Sequence, residues 1–320
     1  MPKQKYKTVF IFLDTDKKAS PFDILTTLDI FPDSTVLKYE DVTAAETEML
    51  VYDSMFPRGP EGAKHTKLFI GGHDVHRVNE ILEVAKRSMF PPFEFSIIVD
   101  PGGAYTTASA AVAKVLRLYE QKNRAGILGK NVVVLAGTGV TGQTAAKLFA
   151  VEKANVTITS RSLQKAVSIA SEVNESFHGQ LVKGAKAKTD EEMSSIVDGM
   201  DVILASGAAR TQLLRLNRLS KSSKKVRIVA DLNAVPPLGI EGLEADADGT
   251  EVLPSTFGIG ALAIGKVKNK VEAELIRRAA AEPKGMFDYR TAYEIAREIV
   301  RGDSDKTKRQ QNETYTSWLP

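Results

Sequence analysis

The segment from Asn131 to Ala150, NVVVLAGTGVTGQTAAKLFA, holds the residues with the most definite chemical use. Gly137, Gly139 and Gly142 are spaced G-x-G-x-x-G, directly after an apolar β-branched run and directly before a helical pattern. In that setting the first glycine permits a tight turn, and the second lets backbone approach a pyrophosphate. The third lets helix and strand pack closely. The anion then rests on free N–H groups at the helix start, so Gly137, Thr138, Gly139, Val140 and Gly142 form a candidate dinucleotide loop. A tight βα turn without ligand is the plainer reading of the same pattern.

The following strand ends Thr159-Ser160-Arg161-Ser162, with Lys165 a turn later. NAD-binding loops place a carboxylate at this point for the ribose 2′-hydroxyl. A hydroxyl, a guanidinium and an ammonium suit a 2′-phosphate instead, so Ser160, Arg161 and Lys165 favour NADP. NAD stays open, because Arg also stacks on an adenine face. Two more strand ends point to the same crevice: Ser206, Gly207 and Ala208 after VILA, and Asp231-Leu232-Asn233 after RIVA, with Asn233 included among the cofactor residues.

The remaining side-chain inventory is thin. The absence of cysteine excludes disulfides, thiolate metal sites and a cysteine nucleophile. Of the four histidines, His73 and His76 stand at i, i+3 near a helix start with no third ligand, which reads as solvation or capping and no metal. No G-x-S-x-G elbow, no HExxH and no His–Asp dyad is legible. Asp14, Asp16 and Asp23 cluster in the first βα turn, either as charge at a helix N-terminus or as acceptors for a donor-rich heterocycle. The stretch 257–270, FGIGALAIGKVKNK, is small and apolar and then alternates Lys266, Lys268 and Lys270. It reads either as a solvated basic edge or as a return between domains, where a lysine reaches a cleft.

The elements that must position these groups alternate. Strand candidates TVFIFL, KLFI and FSIIV in the first third, and VVVLA, VTIT, VILA and RIVA later, are separated by helical patterns. Such alternation predicts an α/β fold of two domains with parallel sheets, a Rossmann-type dinucleotide-binding domain and an α/β catalytic domain. The expected division is 1–122 with 270–302 for substrate, 123–269 for the dinucleotide, and 303–320 as a mobile tail. A helix is expected over 212–219, and 272–281 and 291–301 are read as closing helices. A chain of 320 residues fits two domains, and 43% hydrophobic with 26% charged residues is the composition of a globular enzyme. A net charge of +3 gives no nucleic-acid signal, and no apolar run is long enough for a membrane span, so the expected location is the cytoplasm.

Taken together, several stretches resemble the NAD(P)-dependent methylene-tetrahydromethanopterin dehydrogenases of methylotrophic bacteria and their relatives. The carriers are Phe12-Leu13-Asp14-Thr15-Asp16 with Phe22-Asp23, Ile70-Gly71-Gly72, and Asp100-Pro101-Gly102-Gly103-Ala104-Tyr105-Thr106-Thr107. Val134 to Gly139, Ala230-Asp231-Leu232-Asn233-Ala234 with Pro236 to Ile240, and Ala261 to Lys268 continue it. The chain departs from the family pattern at Pro101-Gly102-Gly103, at Lys266-Val267-Lys268, and in the stretch after Gly302.

The resemblance implies oxidation of the methylene bridge to a methenyl cation by hydride transfer to NADP or NAD. The product is an amidinium stabilised by its own nitrogens, so no proton leaves the carbon and no general base is required. It also implies that Lys268 stands in the active-site cleft. Asp14, Thr15, Asp16, Asp23, Asp100, Gly102, Thr106 and Thr107 are then the pterin-side residues, with turn and cap roles as their plainer reading. A tetrahydromethanopterin-type carrier is the implied partner, and the implied assembly is a homo-oligomer, a trimer or a dimer of trimers. Two alternatives remain: a methylene-tetrahydrofolate dehydrogenase, with or without cyclohydrolase activity, and a catalytically silent NADP-binding sensor.

Overall fold

The computed structural model describes residues 6–219 and 227–316, of which 303–316 as backbone only. The chain divides into two compact units, Met1–Thr106 with Lys270–Ile295 and Thr107–Asn269 with Ala296–Pro320. In chain order the first unit contains β1 (Val9–Asp14), α1 (Pro21–Ile30), β2 (Thr35–Tyr39), α2 (Ala44–Met55) and the short α3 (Gly59–Ala63). It continues through β3 (Thr66–Gly71), α4 (Val75–Ser88) and β4 (Ser96–Val99), and α5 (Ala104–Asn123) leads out of it.

The second unit follows with β5 (Asn131–Leu135), α6 (Val140–Val151), β6 (Asn155–Ser160), α7 (Leu163–Ser176), β7 (Val182–Lys186) and α8 (Asp190–Val197). Next come β8 (Val202–Ala205), β9 (Leu214–Arg215), β10 (Arg227–Asp231), β11 (Ile240–Glu241), β12 (Asp248–Leu253) and β13 (Thr256–Ile259). Then α9 (Ala261–Ala281) precedes β14 (Gly285–Phe287) and α10 (Tyr289–Thr316). The division between units falls inside α5, α9 and α10. No loop marks it, which is why a boundary expected at 122–123, the end of α5, does not coincide with it.

The first unit is one parallel sheet in the order β14-β4-β3-β1-β2. Its inner strands are near-continuous apolar runs because helices cover both faces. Phe10, Leu13, Leu68, Ile70, Ile98 and Val99 are fully buried. One face packs Ile11, Leu68 and Ile97 with Val51 and Met55 of α2 and Val78 and Ile81 of α4. The Ser20 hydroxyl caps α1 through the Phe22 N–H, and the Asp74 carboxylate caps α4 through the N–H groups of His76 and Arg77.

The second unit is a seven-stranded sheet ordered β12-β13-β10-β8-β5-β6-β7, parallel except for β12. Read from β7, six of these strands follow the 3-2-1-4-5-6 order of a dinucleotide-binding sheet. Three sequence expectations are corrected here. The helix expected over 212–219 is β9 followed by a 3₁₀ turn, Leu216–Arg218, because Leu214 pairs with Ile240 in a small parallel ladder. The stretch 257–270 completes β13 and supplies the first half of α9, which begins at Ala261 rather than 272. The stretch from 303 continues α10 as helix to Thr316, and 317–320 lie outside the described residues.

Among the described residues no helix is long and apolar enough to cross a membrane. One buried charge stands out in the first unit. Lys67 of β3 is 1% exposed, and its ammonium donates to the carbonyl of Glu282, just past the end of α9; the Ser96 hydroxyl donates to the same oxygen at 2.8 Å. Burial, partly opposed by the Glu282 charge, brings the Lys67 pKa down to about 8 from 10.5. Below pH 8 the folded state therefore carries a desolvated charge, and between about 8 and 10.5 it binds fewer protons than the unfolded chain. The stability of the native protein relative to Lys67→Met is expected to rise across that window by roughly 1–3 kcal/mol. Urea unfolding at a series of pH values checks the sign and the window.

Candidate functional site

The turn after β5 has the shape expected of a phosphate loop. Ala136 takes a left-handed φ of 52°, and its N–H donates to Oγ1 of Thr159 at 3.0 Å. The Gly137 N–H donates to the Thr159 carbonyl at 3.1 Å, which ties the loop to the end of β6. The three glycines are required for different reasons. A Cβ on Gly137 would stand 2.9 Å from the Val134 carbonyl oxygen, and one on Gly142 would stand 2.6 Å from Cα of Gly137. Those two allow strand, turn and helix to close on one another. A Cβ on Gly139 would meet nothing within 4 Å, so packing within the chain does not require a glycine there. The open approach at Gly139 fits a pyrophosphate.

Gly139 is also the N-cap of α6 and provides no side-chain acceptor for the first turn of the helix. The Gln143 side chain donates to the Thr138 carbonyl at 2.8 Å, and the Val140 carbonyl accepts from Oγ1 of Thr144 at 2.9 Å. Both carbonyls are thereby engaged on the protein side, and the N–H end of the helix is presented to an anion. At the end of β6, the Ser160 hydroxyl accepts from the Ser162 N–H, and the Ser162 hydroxyl caps α7 through the Lys165 N–H. Arg161 and Lys165 are exposed, and no carboxylate occurs between Ser160 and Lys165.

The other expected nucleotide residues are placed less openly. The Ser206 N–H and hydroxyl both donate to the Leu135 carbonyl at 3.0 Å, which binds the end of β8 to the end of β5. Gly207 faces Leu213, and Ala208 is exposed. Asn233 is buried and holds its own loop, with its amide donating to the Pro237 carbonyl and accepting from the Val235 N–H. Asp231 beneath it accepts from the N–H groups of Asn233 and Ile240, and burial raises its pKa against those hydrogen bonds. A cavity of about 530 Å³ near Asp198, Arg218 and Arg227 opens at the start of β10, the opposite edge from the glycine loop.

In the first unit the carboxyl ends of β1, β3 and β4 bring most of the other expected residues together. Asp14 is 9% exposed, and its Oδ1 accepts from the Asp16 N–H at 2.8 Å; burial is the main influence on its pKa and raises it. The Thr15 hydroxyl is buried against the Gly71 carbonyl at 3.4 Å. Asp100 is fully buried: Oδ1 accepts from the N–H groups of Tyr105 and Thr106, and Oδ2 from the Thr106 hydroxyl at 2.6 Å. That carboxylate therefore caps α5, and Thr106 is its partner. Gly102 is exposed at a left-handed φ of 54°, and Thr107 is half-buried. Asp23 lies in the first turn of α1, away from the strand-end turns in sequence and partly buried.

One member of this cluster was not legible as such. Oδ2 of Asp16 lies 2.6 Å from Nδ1 of His73, and Oδ1 of the same carboxylate accepts from the His73 N–H at 3.1 Å. Burial pushes the Asp16 pKa up, but the His73 hydrogen bonds and charge, with Arg77, outweigh it and hold the carboxyl below its ordinary value. The expectation of no His–Asp dyad is thus overturned; 57 residues separate the partners, and only parallel pairing of β1 with β3 brings them together. The signal available in the sequence was the placement of His73 directly after a strand and two glycines. No group of three or more metal-ligating side chains occurs among the described residues.

Lys268 occupies the first half of α9. In a helix the three lysines do not alternate across a strand: Lys266 and Lys270 are exposed and share a face, and Lys268 is turned away from them and half-buried.

A dinucleotide-type sheet with this loop, joined in one chain to a second parallel α/β unit, defines a Rossmann-fold dehydrogenase architecture. Residues 120–243 match the model of the shikimate / quinate 5-dehydrogenase family, and residues 21–102 match that of the methylene-tetrahydromethanopterin dehydrogenase N-terminal domain. The NAD(P)-dependent methylenetetrahydromethanopterin dehydrogenase of Methylorubrum extorquens is 32% identical over 298 residues, 92% of this chain and 99% of that one. The bifunctional protein MdtA of the same organism is 34% identical over 294 residues, again 92% and 99%. Quinate dehydrogenase from Corynebacterium glutamicum in complex with NAD is a solved structure that matches at 11% identity and a TM-score of 0.49, covering 91% of this chain and 99% of that one. The chain belongs to the methylene-tetrahydromethanopterin dehydrogenase family.

The glycine geometry separates two effects. Gly142→Ala is expected to lower stability by roughly 1–3 kcal/mol through overpacking. Gly139→Ala is expected to keep stability within about 1 kcal/mol and to weaken dinucleotide binding about tenfold or more. Thermal unfolding beside a nucleotide titration checks both.

Proposed function

We propose that this protein oxidises the methylene bridge of a tetrahydromethanopterin-type one-carbon carrier to the methenyl cation, with NADP, and secondarily NAD, as hydride acceptor. The observation that carries the reading is the end-to-end similarity to a relative of that name. The glycine loop and the basic end of β6 agree with it. Nicotinamide, when bound, supplies the acceptor carbon for the hydride.

The chain's own contribution is binding, orientation and exclusion of water. Backbone at Thr138, Gly139 and Val140 with Gly142 behind it takes the pyrophosphate, and Ser160, Arg161 and Lys165 take the 2′-phosphate. Ser206, Gly207, Ala208 and Asn233 shape the nicotinamide side. The hydrogen bonds of Ser206 and Asn233 to neighbouring backbone keep that wall rigid. The pterin is assigned to the strand-end turns of the first unit, at Asp14, Thr15, Asp16 and Gly102, with Asp23 on α1 and Thr107 in the first turns of α5. Asp100 and Thr106 act beneath them by fixing the start of α5.

Loss of a hydride from the methylene carbon leaves a cation shared by two nitrogens, so no side chain needs to remove a proton. An ammonium against that carbon would oppose the charge. Lys268 is therefore assigned to a pterin or carboxylate oxygen rather than to the reacting centre. Assembly as a homo-oligomer, a trimer or a dimer of trimers, belongs to the same proposal, as does a cytoplasmic location.

Two measurements test the assignments. Arg161→Ala is expected to raise the KM for NADP about tenfold or more and to leave that for NAD within about threefold, in steady-state assays with methylene-tetrahydromethanopterin. Lys268→Ala is expected to lower kcat/KM about a hundredfold, against a change within about twofold for Lys266→Ala on the exposed face. Parallel assays with methylene-tetrahydrofolate distinguish the carriers, and nucleotide binding without turnover of either carrier would leave the sensor reading.

A further inference from the structure

The hydride step makes no use of an acid–base pair, yet the first unit contains one, held with unusual care. A single carboxylate, Asp16, fixes both the backbone N–H of His73 at 3.1 Å and its ring Nδ1 at 2.6 Å. The imidazole so fixed is 77% exposed, so the fold gains little burial from ordering it. The ring also stands over Gly102. A Cβ at that position would lie 3.1 Å from Cδ2 and 3.2 Å from Nε2 of His73, and φ at Gly102 is 54°. Any side chain there would displace the ring as well as strain the backbone.

Three turns therefore converge on one imidazole: Asp16 after β1, His73 after β3, and Gly102 after β4. In the sheet order, β1 lies between β2 and β3, so the β1 and β3 turns flank the point where the strand order reverses. Ligands of open α/β sheets bind at that point, outside the carboxyl ends of the strands. With Asp16 ionised, Nδ1 carries the proton of the His73–Asp16 hydrogen bond. The remaining ring nitrogen is Nε2, which in the neutral ring is a hydrogen-bond acceptor.

We propose that His73 is a pterin-binding residue: its Nε2 accepts a hydrogen bond from an N–H group of the reduced pterin ring, and Asp16 is the positioning residue that fixes the tautomer and the ring plane. The assignment rests on the dehydrogenase reading for the identity of the ligand. It changes the role of Asp16 from direct contact to support, and it adds a residue that the family resemblance did not supply.

The test is a binding titration of the full-length protein with methylene- and methenyl-tetrahydromethanopterin, without nucleotide. Wild type, His73→Ala, His73→Gln, Asp16→Asn and the His73→Ala/Asp16→Asn double variant are compared, with histidine labelled by nitrogen-15. His73→Ala is expected to weaken pterin binding about tenfold, with partial recovery in His73→Gln. Asp16→Asn also weakens it, and the double variant is little worse than His73→Ala, because the carboxylate acts through the ring. The Nε2 resonance of His73 moves on pterin addition, and NADP affinity and melting temperature stay level across the set.

Pterin affinity of His73→Ala within twofold of wild type, an Nε2 resonance that does not move, or additive effects of the two substitutions would each overturn the inference, as would failure of the wild type to bind pterin. Turnover of the same carrier with NADP is measured on the wild type separately. Pterin binding that depends on His73 but yields no turnover would remove the dehydrogenase reading and leave His73 assigned. Turnover by the wild type together with pterin binding that is indifferent to His73 would do the reverse.

Discussion

Strands that run parallel release every βα turn at the same edge of their sheet, and the chemistry of this chain follows from that constraint. In the second unit it sets the glycine loop after β5 beside the end of β6, so that Thr159 can hold Ala136 and Gly137. It sets Ser206 after β8 against the last carbonyl of β5. In the first unit it gathers the turns after β1, β3 and β4. None of these neighbours is close in sequence, and each pairing depends on strand order rather than on local propensity.

Crowding carboxylates at one edge has an electrostatic consequence, and the first unit meets it differently at each position. Asp14 is buried and accepts from a backbone N–H. Asp16 is held ionised by His73 and Arg77. Asp100 lies at the start of α5, where backbone N–H groups and Thr106 satisfy both oxygens. The three residues look alike in the sequence, yet the structure leaves only the Asp16 turn with an exposed polar ring at its tip. The same principle works in the second unit with the sign reversed: the end of β6 carries exposed basic groups and no carboxylate, which suits an anion.

A small side-chain inventory is consistent with hydride transfer, since the leaving species is a hydride and the organic product stabilises its own charge. What the protein must supply is rigidity. The buried Asp231–Asn233 loop, the capped helices and the closely packed Gly137–Gly142 turn are all devices of that kind. Lys67, buried under the end of α9, is a further one: a cation used to satisfy a helix-end carbonyl, at a cost in desolvation.

Much of the fold was legible before any coordinates. β8 is the VILA run from end to end, and β5, β6 and β10 lie on VVVLA, VTIT and RIVA. The glycine loop was legible because its spacing, its strand and its helix are all local. Less was legible where local pattern and tertiary pairing disagree. Leu214 and Arg215 read as helix but pair with Ile240 and Glu241; 257–270, whose lysines read as alternating, forms the end of β13 and half of α9. The sequence by itself determined the α/β class, the glycine loop and the basic character of the β6 end, because each is encoded within a few consecutive residues. Only the tertiary structure decided which aspartates are capped, which lysine of three turns inward, and that His73 meets Asp16. Those are outcomes of strand order and helix phase, which bring together residues tens of positions apart and leave no mark in the spacing along the chain.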